Sequence, residues 1–169
     1  MSLQDVERAV PGHDAVVVTL GIRENPVRVR LLGPARTPLH VRSAGTRNVI
    51  AAMRKHGIKK LVVQTTFGVG ATRDKLRFMD KLVFEVLLKP QILDTEKQNT
   101  DVANSGLDWV LVQPVHLTDA NEDSMPFAST TGEIGEISVS RTSVGRFLAH
   151  AVSSNEFVGK SVALSGQAS

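Results

Sequence analysis

The chain has 169 residues, the length of one domain, and its 41% apolar content is enough to bury a core, which excludes a disordered chain. No run of about 18 apolar residues is present, so no membrane span is expected; the opening MSLQDVERAV has charges where an export signal needs an apolar stretch, which disfavours export, and a cytoplasmic location is expected. Cysteine is absent, so disulfides and thiolate metal ligands are excluded; the net charge of +3 hides two opposed blocks. Residues 22–60 hold ten Lys or Arg against one acid, Glu24, and residues 90–136 hold nine acids against one base, Lys97. Such blocks read as two faces, two halves of a dimer or protein contact, or one anion-binding side. Nucleic acid is disfavoured as the partner, because 4% aromatic content leaves few platforms for base stacking.

In chain order, the first strand is "AVVVTL" (15–20). A long stretch with three prolines and four arginines follows, "GIRENPVRVRLLGPARTPLH" (21–40), of a length that is usually functional. "VRSAGTRNVIAAMRKHG" (41–57) reads as a helix with Val49, Ile50 and Met53 on its buried stripe and Gly57 as C-cap. "KLVVQT" (60–65) is the second strand. "ILDTEKQNTDVANSG" (92–106) reads as a helix with Leu93, Val102 and Ile92 on its apolar side, ending at Gly106. "DWVLVQ" (108–113) is the third strand. A polar, acidic, lid-like segment (114–136) without regular structure is expected next. "SRTSVGRFLAHAVSS" (140–154) is a helix capped by Ser140 or Thr142, with Val144, Phe147, Leu148 and Ala151 buried. "SVALS" (161–165) closes the pattern.

The first three strands are nearly continuously apolar, which predicts cover on both faces and hence a parallel sheet between helices. Strands alternating with helices predict an α/β fold with right-handed crossovers. Ligands bind such sheets at the carboxyl ends of the strands. Those ends are Thr19-Leu20-Gly21, Gln64-Thr65-Thr66 and Gln113 through Thr118, three polar ends that together predict a pocket. Thr65 and Thr66 have two readings. Their hydroxyls either bond the turn backbone or face a ligand, and strand alternation allows at most one to do the latter. His116 either serves its loop or donates a proton near neutrality. Gly68-x-Gly70 lacks the third glycine or the Gly-Lys-Ser/Thr of a phosphate loop, and the five histidines show no ligand spacing, so no metal site is predicted.

The stretches "GHDAVVVTLG", "GTRNVIAAMRKHGIKKLVVQTT", "SGLDWVLVQPVHLTD", "ISVSRTSVGRFLAHAV" and "VGKSVALSG" together resemble the atypical short-chain dehydrogenase/reductase family. The branch they resemble is the NAD(P)H-binding NmrA-like proteins and the biliverdin/flavin reductase B type. The resemblance runs from about Asp5 to Gly166. It implies a Rossmann-like three-layer parallel sheet, a single domain over 1–169, NADP or NAD as cofactor, and a small-molecule substrate. The activity it implies is hydride transfer to a small carbonyl, flavin or quinone-like acceptor, or else a non-catalytic NmrA-like redox sensor with a protein partner. Thr19, Leu20 and Gly21 then match the adenosine and pyrophosphate side of the cofactor. Gln64, Thr65 and Thr66 match the nicotinamide side, and Pro114, Val115 and His116 the segment against the ring. Asn48 matches the site floor, and Thr66 and His116 stand as catalytic candidates.

Two departures accompany the resemblance. The family opens with a strand and a GxxGxxG turn, and this sequence starts at what resembles the helix before the fourth strand. The resemblance therefore implies an N-terminally truncated member, with "AVVVTL" as a raw sheet edge. The YxxxK acid/base pair is also missing. The chain has no tyrosine, and Leu93 stands four residues before Lys97. Any proton would come from water, His116 or a threonine.

Overall fold

The computed structural model describes residues 2–21, 37–75 and 89–168. The elements are α1 (Leu3–Ala9), β1 (Ala15–Val18), α2 (Val41–His56), β2 (Lys60–Gln64), a 3-10 helix (Gly70–Lys75), α3 (Lys89–Ala103), β3 (Asp108–Pro114), β4 (His116–Thr118), β5 (Phe127–Ser129), β6 (Ser138–Ser140), α4 (Arg141–Ser153) and β7 (Lys160–Ser165). The main sheet has the order β1-β2-β3-β7-β5. Its first four strands run parallel, and β5 joins antiparallel to β7. This is the α/β architecture expected from the alternation of apolar runs and helical patterns.

Two cores lie on opposite faces of the sheet, and β2 shows why an uninterrupted apolar strand is needed between them. Leu61 and Val63 point into a core shared with Val49, Ile50 and Met53 of α2 and Val102 of α3. Val62, between them, points into the other core with Val144, Phe147, Leu148 and Ala151 of α4. All three side chains are fully buried. Each contributes roughly 1.5–3 kcal/mol of burial. α2 stops where Gly57 takes φ +73°, which lets the Ile58 N–H reach the Met53 carbonyl at 2.9 Å. α4 starts where the Ser140 hydroxyl accepts the Ser143 N–H at 3.0 Å, which selects Ser140 over Thr142 as the cap.

Cover on both faces holds for β2 and β3 but not for β1. Among the described residues β1 pairs only with β2, and Val17 is 42% exposed. α4 packs against β1, β2 and β3, but Val17 stays outside the core on that face. The proline-arginine stretch expected to be functional falls mostly within 22–36, outside the described residues.

Two expectations are corrected. The helix expected over 92–106 spans 89–103, with Gly106 (φ +67°) in the following turn, and Leu93 is 56% exposed rather than buried. The inward face of α3 carries Asp94, Thr95, Gln98 and Val102 instead. Its partner α2 presents Ser43 and Thr46 there. The Asp94 carboxylate accepts the Arg42 N–H (2.9 Å), the Ser43 N–H (3.3 Å) and the Ser43 hydroxyl (2.5 Å). Gln98 Nε2 donates to Thr46 Oγ1 at 2.9 Å. Partnered polar groups can be buried at little cost, so a helix with few apolar residues still packs inward, although the buried Gln98 Oε1 itself has no partner.

The segment expected to lack regular structure contains β4 and β5 and leads into β6, with β4 and β6 paired in parallel as a second sheet. Its middle is tied to α4. Arg141 pairs with Asp119 at 2.6 Å, Arg146 pairs with Asp123, and the Ser140 and Ser143 hydroxyls both donate to the Glu122 carbonyl. Hydrogen bonds from Arg146 hold the Asp123 carboxyl below its usual range. A depressed folded-state pKa contributes stability above the unfolded value and loses it as pH falls through the lowered one. The difference in melting temperature between wild type and Asp123→Asn, small because the pair is exposed, is expected at neutral pH and should close on acidification through that window. A difference that grows with acid would contradict the pairing. Among the described residues no helix is long and apolar enough to cross a membrane.

Candidate functional site

The carboxyl ends of β1, β2 and β3 lie side by side, as the parallel register requires. Val18 pairs with Val63, and Gln64 pairs with Val112. Beyond the ladder the Thr65 N–H donates to the Val112 carbonyl (2.8 Å) and the Phe67 N–H to the Pro114 carbonyl (3.0 Å). Thr65, Thr66 and Pro114 are thereby held against one another. Val115 follows, half-buried on the α4 side, with its N–H on the Leu164 carbonyl at 3.0 Å. Thr19 and Gly21 are exposed and Leu20 is half-buried against the α2 core.

The two threonines differ sharply. Thr65 is 4% exposed, and its hydroxyl is buried with no hydrogen-bond partner. Thr66 is half-buried, and its hydroxyl donates only a long bond, 3.4 Å, to the Phe67 carbonyl. Thr66 is therefore the one whose hydroxyl can turn outward. Gln64 is half-buried beside it, whereas Gln113, on the next strand, is fully buried and donates to the Val69 carbonyl at 2.7 Å.

Not every expected residue joins this group. His116 sits on β4, in the second sheet, with its N–H on the Ile137 carbonyl (3.2 Å) and its side chain exposed. Asn48 is half-buried on α2 and already engaged. Gly68 and Gly70 serve a turn: their φ angles are +84° and +60°, and the Gly68 N–H donates to Thr72 Oγ1 at 2.8 Å. A Cβ on Gly70 would also stand 3.2 Å from Asn99 Nδ2. Gly70→Ala is expected to cost about 1–2 kcal/mol for the left-handed backbone, with Asn99 displaced in addition. Urea unfolding checks this, and an unchanged midpoint would count against it.

A groove of about 410 Å³ is lined by α1 and β1; it takes in Thr19 and Leu20 but none of the residues at the ends of β2 and β3. A smaller cavity of about 210 Å³ lies under the 122–126 segment, lined by Glu122, Ser143 and Gln167 among others. Among the described residues the three strand ends form a ledge at the carboxyl edge of the sheet. Among the described residues no group of His, Asp or Glu side chains is placed to hold a metal ion.

One residue of the ledge was not anticipated. Arg42, in the first turn of α2, places its Nη2 3.5 Å from where a Cβ on Gly21 would stand. Burial pulls its guanidinium below its usual pKa, and the nearby Asp94 charge opposes that shift. The only signal in the sequence was the basic block in which Arg42 is one of ten cations.

A family model described as NAD(P)H-binding matches residues 1–155. Solved structures give the fold independently. A Rossmann-fold NAD(P)-binding family protein from Shigella flexneri superposes with a TM-score of 0.65 at 19% identity, over 96% of this chain and 65% of that one. A wide-type short-chain dehydrogenase/reductase from Veillonella parvula, solved in complex with NADP, gives 0.75 at 14% identity over 98% and 68%. An anaerobillin reductase from Escherichia coli O157:H7 gives 0.73 at 17% identity over 96% and 70%. The chain thus spans about two thirds of the length of these solved proteins.

Proposed function

The chain belongs to the NAD(P)H-binding family, and from that premise we propose that residues 1–169 act as one Rossmann-like domain of an NAD(P)H-dependent oxidoreductase. The family match over 155 residues carries this reading. When bound, the reduced dinucleotide, NADPH or NADH, would supply a hydride. The acceptor is a small carbonyl, flavin or quinone-like molecule. Thr19, Leu20 and Gly21 carry the adenosine and pyrophosphate side. Gln64, Thr65, Thr66, Pro114 and Val115 form the nicotinamide side, and Asn48 contributes to the floor. The Thr66 hydroxyl orients the acceptor, and His116, exposed on β4 outside the group of strand ends, is the proton donor alternative to water. The residues present fit such a ligand, because the ledge offers hydroxyls, exposed strand-end backbone and a guanidinium with an unpaired nitrogen.

One observation favours a second reading, a non-catalytic NmrA-like sensor that binds the cofactor and a protein partner. The chain has no tyrosine, and Lys97 is exposed on α3 with an exposed Leu93 four residues before it. NADPH fluorescence titration tests the common premise: saturable binding is expected, and none would overturn both readings. A screen of carbonyl, flavin and quinone acceptors then separates them, since steady NADPH oxidation excludes a pure sensor.

A further inference from the structure

Burying a guanidinium without a partner is costly, so a chain that does so invites the question of what anion completes it. Arg42 is half-buried and meets this condition in part. Its Nε is buried and makes no hydrogen bond, and no described residue accepts a bond from its side chain. The carboxylate whose charge acts on it, Asp94, is already committed to the Arg42 and Ser43 N–H groups and the Ser43 hydroxyl. Asp94 therefore lowers the cost of holding the cation there without occupying its donors. Its Nη2 lies beside Gly21, 3.5 Å from where a Cβ there would stand, so the guanidinium reaches the carboxyl end of β1. A planar fork of N–H donors in this setting suits a ligand with two or more charged oxygens.

We infer that Arg42 is a ligand-binding residue of the ledge, whose guanidinium takes phosphate oxygens of the dinucleotide beside Gly21 at the carboxyl end of β1. The inference rests on the cofactor reading above and adds the residue that would hold the charged part of that cofactor.

The test compares wild type with Arg42→Gln and Arg42→Lys. Both variants keep the backbone N–H that Asp94 holds, and thermal melting checks that they fold. The probes are NADPH, inorganic pyrophosphate, and reduced nicotinamide riboside, which has no phosphate. Arg42→Gln is expected to weaken NADPH and pyrophosphate by about 10- to 100-fold, the range of a lost charged hydrogen bond. Arg42→Lys should fall between the two, and reduced nicotinamide riboside should bind all three proteins alike. Equal binding of NADPH and pyrophosphate by wild type and Arg42→Gln would overturn the inference. So would unchanged NADPH binding with a raised KM only for carboxylate-bearing acceptors. If wild type binds pyrophosphate through Arg42 but does not bind NADPH, the anion site stands and the cofactor reading falls. If Arg42→Gln melts early, Arg42→Lys decides by the same comparison.

Discussion

Replacing Asp94 by alanine is expected to lower the melting temperature by on the order of 10 °C. The carboxylate has only buried or half-buried donors around it, namely the Arg42 N–H, the Ser43 N–H and the Ser43 hydroxyl. α2 has His40 at its N-cap position, with no side-chain cap of its own, so Asp94 caps it from the neighbouring helix. Deletion strips the cap, opens a void between α2 and α3, and leaves Arg42 without the Asp94 charge that acts on it. Losing one partner of such a set costs about 3–5 kcal/mol. In a domain of this size each kcal/mol is worth roughly 2–4 °C. Asp94→Asn keeps an acceptor and should lose about half as much. Calorimetry on both variants checks the claim, and an alanine variant melting within 2 °C or so of wild type would sink it.

The second large effect separates the two threonines. Thr66→Val is expected to reduce turnover of a carbonyl acceptor by about a hundredfold while leaving NADPH affinity near wild type, since the hydroxyl acts on the acceptor. Thr65→Val should leave turnover unchanged. It should also hold or raise stability, because it removes a buried hydroxyl that has no partner. Steady-state kinetics and denaturant unfolding on the pair give four numbers. Loss of turnover in Thr65→Val with Thr66→Val intact would reverse the assignment.

The sheet was legible early because the apolar runs had to be what they are. Leu61-Val62-Val63 and Val110-Leu111-Val112 feed two cores at once, and only a strand covered on both faces tolerates that pattern. The stripe of α4 was equally plain, since Val144, Phe147, Leu148 and Ala151 recur at helical spacing and all are buried. α3 misled for the opposite reason. Leu93 drew the apolar face toward itself, whereas the helix packs through Asp94 and Gln98, whose burial is stable only because α2 supplies Ser43 and Thr46. Those partners lie about fifty positions away, and no local window contains both.

The sequence by itself determined the alternation of strands and helices, the polar strand ends and their order, because hydrophobic periodicity and turn chemistry are local properties of the chain. Only the tertiary structure decided which threonine is the less buried, that His116 belongs to a second sheet, and that Arg42 stands beside Gly21. Each of these depends on what a neighbouring element covers. Burial and unsatisfied hydrogen bonds are properties of packed surfaces, and packing joins residues that the chain keeps far apart.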